Sequence, residues 1–345
     1  MSINPFPAGN DPIRRAELVQ AAVYAVANKP ADYISDEIPI LKTVGVVPNQ
    51  GRVLVALPET MFGHGEARDL MARGEDAQMG RGTSHRAVEY RAERYGRTTP
   101  LDDSTWRDYD ALGLDALTSS VTPDVETLRI LREIRLARLV GVAGNWASST
   151  AIAVPANRWN VNTSDPNANI QAAIDAVEDR GGTADTVITT VDSYRALRNN
   201  APFLQFSSVT SDRSNAPVYQ GKDAVGDFLA SRFGIKRVLI MGARRNGSKV
   251  PGTPAIARVA TNWFWVGQLP NDFGPDSLRI PIGSIGSTGE GPSSASALYR
   301  VTPEDWRTEE TRKGTASASL WTHTYVEAMG ILMPELGHLI TGTVA

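Results

Sequence analysis

Asn162–Asn200 reads NTSDPNANIQAAIDAVEDRGGTADTVITTVDSYRALRNN, a helix–strand–helix unit with clear stops at both ends. Asp165 is placed to cap a helix. Pro166 follows at the first helical position, where its absent N–H is not missed. Ile170, Ala173, Ile174 and Val177 recur at the three- and four-residue steps of one helical face. Gly181-Gly182 supplies the left-handed turn that ends the helix. Thr186–Val191 is a β-branched run of the kind that forms a buried strand. Asp192 or Ser193 then caps a short second helix over Tyr194–Arg198.

Working outward, the chain has 345 residues, enough for one to three domains with a sizeable core. A hydrophobic share of 41% and a charged share of 21% are those of a folded protein. A net charge of −3 argues against nucleic-acid binding driven mainly by counterion release, which needs a concentrated basic surface. The absence of cysteine excludes disulfides, thiolate metal sites and cysteine nucleophiles. No apolar run is long enough for a membrane-spanning helix, and the first residues, MSINPFPAGNDPIRR, have no apolar signal core.

Pro5, Pro7 and Pro12 keep the start of the chain extended, and Ile13–Ala27 has the spacing of an amphipathic helix. Ile34, Ile38 and Ile40, then Arg52–Leu57, predict two strands joined by a polar turn at Pro48–Gly51. Residues 58–104 are polar and glycine-rich. Between His64 and Arg97 stand seven arginines (Arg68, Arg73, Arg81, Arg86, Arg91, Arg94, Arg97) and six acids (Glu66, Asp69, Glu75, Asp76, Glu89, Glu93), with no lysine. By its residues alone this stretch is either a solvated insertion or a projecting loop that lies across a neighbouring subunit. The rigid guanidinium fork suits the second role. Thr122-Pro123 predicts a helix start, and Pro123–Val140 carries an apolar stripe through Val125, Leu128, Leu131 and Ile134. Asp223–Phe233 reads as a helix. Lys236–Met241, Arg258–Leu269, Ser317–Leu332 and Gly337–Val344 read as strands, and the Gly/Ser-rich 281–296 as loop.

Taken in order, these pieces resemble the major capsid (coat) proteins of tailed bacteriophages, with the Hong Kong 97-like fold. The resemblance is strongest at Trp159, Ser164-Asp165-Pro166, Ile170–Val177, Asp185–Thr189 and Tyr194–Asn199, similar to the family's "ADIxAAIDAV", "NTLVL" and "WxALRNHP". Phe233–Leu239 is similar to "FGVERVLV". Ala31-Asp32-Tyr33-Ile34 and Ile38-Pro39-Ile40 resemble the phrase before the family's projecting hairpin, and Glu89–Gly96 resembles its returning strand.

The resemblance implies an α+β chain. Residues 1–48 would be an N-terminal arm with the first strand of a peripheral domain, and 49–103 an extended loop. Residues 104–160 would carry the peripheral domain's long spine helix (Leu128, Leu131, Ile134), and 161–280 would form an axial domain around ring centres. Residues 281–333 would return to the peripheral domain, and 334–345 would form a last strand back in the axial one. Arg68, Arg73, Arg81, Arg86, Arg91, Arg94, Arg97, Glu89 and Glu93 become candidates for contacts between subunits. The implied function is a shell of pentamers and hexamers in the virion, assembled in a bacterial cytoplasm. Its implied partners are a portal, a separate scaffolding protein, a decoration or cement protein, and double-stranded DNA held without sequence preference.

Two rivals stand beside it: an encapsulin-like compartment of the same fold, and a soluble α/β hydrolase. The second finds no support in motifs. There is no Walker loop, GxGxxG or GxSxG, and His64, His85, His323 and His338 lack metal-ligand spacing and read as surface or interface side chains. Asp102-Asp103 and Glu309-Glu310 read as solvated turns, and Gly283–Gly291 as a flexible loop. The sequence thus predicts no catalytic residue, metal, cofactor or membrane span.

One coat-protein subtype locks its shell with a Lys–Asn bond whose lysine lies in the extended loop. This chain has no lysine between 43 and 221. Particles boiled in detergent should therefore run on a gel as a single monomer band, and a ladder of covalent multimers would contradict that.

Overall fold

The computed structural model describes residues 33–42, 49–56, 85–102, 116–203, 224–247, 255–269, 279–281, 296–312 and 318–344. The helix expected over Ile13–Ala27, most of the 281–296 loop and the tip of the arginine-rich loop lie outside them. The strands are β1 (Ile40–Lys42), β2 (Gln50–Ala56), β3 (His85–Arg91), β4 (Glu93–Asp102), β5 (Ser148–Ala151), β6 (Thr186–Thr190) and β7 (Arg237–Met241). They continue with β8 (Arg244–Asn246), β9 (Ile256–Arg258), β10 (Trp263–Gly267), β11 (Arg279–Pro281), β12 (Leu298–Arg312), β13 (Ala318–Ile331) and β14 (Gly337–Thr341). The helices are α1 (Ala116–Val140), α2 (Pro166–Glu178), α3 (Val191–Asn199) and α4 (Ala224–Phe233).

The unit at 162–200 folds as its sequence predicts. The Asp165 side chain accepts the Ala168 N–H, Pro166 opens α2, and Ile170, Ala173, Ile174 and Val177 are buried. Gly181 takes φ 81°, the left-handed conformation that a side chain would disfavour. α3 differs in one detail. It begins at Val191, and its cap is Thr190, whose hydroxyl accepts the Ser193 N–H. The last residue of strand β6 is therefore also the helix cap, and no loop residue separates the two elements.

β6 is central in a five-stranded sheet of order β5-β14-β10-β6-β7. It runs parallel to β7 and antiparallel to β10. Alternation along these strands sorts side chains to two cores. Val187, Phe264, Val266 and Ile340 point to α2, α3 and α4. Ile188, Trp265 and Leu339 point the other way, onto Leu136, Val140 and Trp146. Trp146 and Trp265 pack with ring centroids 5.2 Å apart. They lie over Gly337, where an added Cβ would come within 2.5 Å of the Trp146 ring.

A second five-stranded sheet has the order β11-β1-β12-β13-β4, and α1 packs on β4 and β13. β1 and β2 do not form one hairpin. β1 runs parallel to β11 and β12, while among the described residues β2 pairs with β3 alone. Gln50 and Gly51, expected in a polar turn, instead open β2, and Pro48 lies outside the described residues.

α1 also departs from expectation. It starts at Ala116, so Pro123 lies inside it and Thr122 is not its cap. Proline there forfeits one hydrogen bond in the early turns, and packing downstream holds the rest. Among the described residues no helix is long and apolar enough to cross a membrane.

Asn200 closes the 162–200 unit. Its buried Nδ2 donates to Trp159 O at 3.0 Å, Val161 O at 3.2 Å and Ser164 Oγ at 3.0 Å. Its Oδ1 accepts the Phe203 N–H at 2.9 Å. Asn200→Ala strands these groups and should cost about 2–3 kcal/mol in urea-unfolding experiments. A loss below about 0.5 kcal/mol would show that the clamp is replaceable by water.

Candidate assembly interface

α1 buries Val125, Leu128, Arg129, Arg132, Glu133, Leu136, Ala137 and Val140. These positions follow the three-and-four spacing of a true helical stripe. The expected every-third-residue stripe drifts around the helix instead. Leu128 is buried as expected, but Ile134 is only half-buried and Leu131 is 44% exposed. The middle of the buried stripe is charged.

Those charges meet a short turn at Ser35–Glu37. Asp36 receives Arg132 Nη1 at 2.6 Å, Arg300 Nη1 at 3.1 Å and Arg129 Nη2 at 3.4 Å. Burial opposes its ionisation, but Arg132, Arg300 and Arg129 together hold its carboxyl below the usual range. Glu327 of β13 faces Arg132 Nε at 2.8 Å and Arg135 Nη2 at 3.5 Å. Arg132 lies 4.8 Å from the Tyr325 ring centre, and Arg135 lies 3.7 Å from that of Tyr95. The turn also reaches the other sheet. Arg237 of β7 donates from Nη2 to the Glu37 carbonyl at 3.3 Å and stands 3.8 Å from its carboxylate. One three-residue turn therefore pins α1, β12 and β7 together.

Glu133 stands out in this cluster. Its Oε1 accepts the Ser35 N–H at 2.6 Å. Burial pushes its pKa up to about 7, against relief from the Ser35 bonds and Arg132. The sequence reading did not find these partners. Asp36, Arg300 and Glu327 are distant in sequence, and the available signal was charge at 129, 132 and 133 inside an otherwise apolar stripe.

The loop candidates fall as follows. Arg68, Arg73 and Arg81 lie outside the described residues. Arg86 forms two contacts with Glu335, at 2.9 and 3.3 Å, and donates to Leu332 O at 3.1 Å. Glu89 pairs with Arg52 across the β2–β3 ribbon at 2.7 Å. Arg91 is exposed on β3. Glu93 accepts the Tyr95 hydroxyl at 3.0 Å, and Arg94 reaches Thr324 Oγ1 at 3.3 Å. Arg97 pairs with Asp124 of α1 at 2.5 Å. Residues 93–102 are the edge strand of the chain's own sheet, paired with β13 from end to end.

His323 and His338, expected as surface or interface side chains, are buried. His323 takes a hydrogen bond with Thr308 at 2.9 Å. His338 sits between Ser148 Oγ at 2.8 Å and Thr150 Oγ1 at 3.0 Å. Burial, with Arg180 nearby, lowers the His338 pKa to about 4. Among the described residues no His/Asp/Glu cluster could hold a metal ion.

No family model matches the chain, and no curated protein matches it. Solved structures do. A phage-related protein from Bordetella bronchiseptica superposes with TM-score 0.63 at 13% identity, covering 95% of this chain and 97% of that one. The capsid protein of cyanophage P-SCSP1u gives TM-score 0.55 at 11% identity, covering 90% and 88%. The virus-like particle from Pyrococcus furiosus gives 0.50 at 10% identity, covering 94% and 99%. The chain has the α+β fold of phage capsid proteins, as the sequence resemblance implied.

Glu133 yields a pH signature. Its folded pKa of about 7 lies above its ordinary 4.5. Between these values the unfolded chain loses the proton while the folded one keeps it, so stability falls as pH rises from 4.5 to 7. Glu133→Gln keeps an acceptor for Ser35 and removes the titration. It should raise stability at pH 8 by about 3 kcal/mol relative to wild type, with little change at low pH. Equal denaturation midpoints for the two proteins at pH 8 would contradict this.

Proposed function

We propose that the chain is a major capsid protein, many copies of which form pentamers and hexamers that close into an icosahedral shell around phage DNA. The observation that carries the reading is the match, over 90% of this chain, with a capsid protein of a cyanophage. A likeness that runs most of the length of both chains supports the reading better than one common motif would.

The geometry agrees with a structural role. In this reading the sheet carrying β6 is the axial domain and the sheet carrying β12 and β13 the peripheral one, with α1 as its spine. The β2–β3 ribbon is the stem of the extended loop, and a two-stranded ribbon is marginal alone. Its far part, with the arginines at 68, 73 and 81, would complete its contacts on a neighbouring copy. Arg91 is the stem residue best placed to join them. Many modest contacts repeated around closed rings give a shell far more stable than any pair. The chain acts by assembly rather than turnover. A portal, a separate scaffolding protein and a decoration protein are the expected companions, and contact with DNA would be blind to sequence.

Electron microscopy of the purified recombinant protein tests this. Shells or ring-shaped capsomers are expected, and a population of isolated monomers at high concentration would overturn the reading. Asp36→Asn should leave the secondary structure intact but lower the yield of closed shells, because the turn that joins α1 to both sheets loses its anion. An unchanged shell yield would show that the turn does not set the subunit's shape.

A further inference from the structure

We propose that the β8–β9 ribbon and the adjoining end of α1 form a seat for the phosphates of duplex DNA. The distribution of charge points there. The whole chain carries −3, yet from Phe228 to Asn271 it has seven cations and no acid. The total thus hides a basic stretch, and β7, β8, β9 and β10 all lie inside it. Arg237 faces Glu37, and Arg258 pairs with Asp192. Arg244 and Arg245 are exposed on β8, and neither forms an ion pair among the described residues. Side chains alternate along a strand, so these two leave opposite faces of the ribbon. Arg244 stands across from Arg258, and Arg245 from Ala257. Arg138, exposed in the last turn of α1, also lacks an ion pair among the described residues. Arg138, Arg245 and Thr261 line one groove of about 280 Å³. Two guanidinium groups and a hydroxyl therefore border a hydrated space open to a phosphate.

The setting of these cations selects the occupant. An acidic protein would match their charge, but protein docking draws most of its energy from anchors seated in well-packed pockets, and these arginines stand in the open. A small free anion would need buried donors to hold it against water, and Arg138, Arg245 and Thr261 are all exposed. A duplex needs neither. It offers phosphates at regular intervals to cations on separate elements, and each contact releases condensed counterions. The guanidinium fork pairs with two phosphate oxygens at once. A two-stranded ribbon is also narrow enough to lie along a groove of the duplex. The choice of DNA as partner rests on the shell reading, in which the genome lies against the subunits, whereas the basic surface does not.

The test titrates the full-length protein against a fluorescein-labelled duplex of about 20 base pairs, followed by anisotropy between about 50 and 200 mM salt. Saturable binding that weakens steeply with salt is expected. Arg138→Gln/Arg245→Gln should weaken it by roughly tenfold and lower the slope of log affinity against log salt by about two, one for each lost phosphate contact. Arg244→Gln should remove about one more. Arg52→Gln/Arg307→Gln takes the same charge from exposed residues elsewhere and should leave the affinity within about twofold. Unchanged unfolding midpoints, expected for exposed positions, separate lost binding from lost folding. Where the protein has already closed into shells, the same variants are compared by the nuclease-resistant nucleic acid that each retains, which should fall with the first pair and not with the control. The inference fails if binding is absent or indifferent to salt, or if both pairs of substitutions weaken it equally. It fails too if polyglutamate at equal charge displaces the duplex, which would mark a seat for an acidic protein. Shells without duplex binding would overturn this inference alone, and duplex binding without shells would overturn the shell reading alone.

Discussion

The buried arginines of α1 have to be neutralised, and that need organises the molecule. Arg129 and Arg132 sit in the middle of a face that is otherwise core, and Arg300 joins them from β12. A guanidinium taken out of water without a counter-charge is strongly destabilising, so the helix can pack only where carboxylates wait for it. Asp36 and Glu327 are those carboxylates. Rotating α1 by one residue would strand all of these groups at once. An apolar stripe of equal volume would bury as well but would tolerate such slips. The charges therefore define the register of the helix more than they add net stability.

The same cluster explains why a short turn near the start of the described chain matters. Ser35–Glu37 has little bulk to bury. Its hold comes from Ser35 donating to Glu133, Asp36 accepting from three arginines, and Glu37 facing Arg237. Since Arg237 belongs to the β6 sheet and Arg300 to the β12 sheet, the turn adds a charged link between two layers. The price of this clasp is Glu133, a carboxyl whose surroundings favour its neutral form.

Much of this was legible from local pattern, and what was hidden has a common cause. The 162–200 unit was readable because cap, stripe, glycine stop and β-branched strand all agree within forty residues or so, which is the condition for a funnelled local choice. The start of α1 was misread because Pro123 looks like a first-turn residue, whereas the helix runs back through it to Ala116. Leu131 was misplaced because a three-residue step leads off the helical face, whereas the true stripe passes through residues that composition marks as surface. Thr190 was missed as a cap because it was already assigned to a strand. The partners Asp36, Arg300 and Glu327 could not be found from spacing, since they are brought to α1 by sheet topology.

The described contacts of the loop stem bear on how a subunit of this fold meets its neighbours. Arg86 is held by Glu335, Ala92 donates to Asn49 O at 2.7 Å, and the whole of β4 is paired with β13. The direction in which the ribbon leaves the body is thus set within one chain, before any second copy arrives. If the chain assembles as proposed, binding to a neighbour orders fewer residues, and the entropy opposing each contact is smaller. A subunit that must repeat one contact many times around a closed surface gains from this, because errors in the angle of each contact accumulate around the ring.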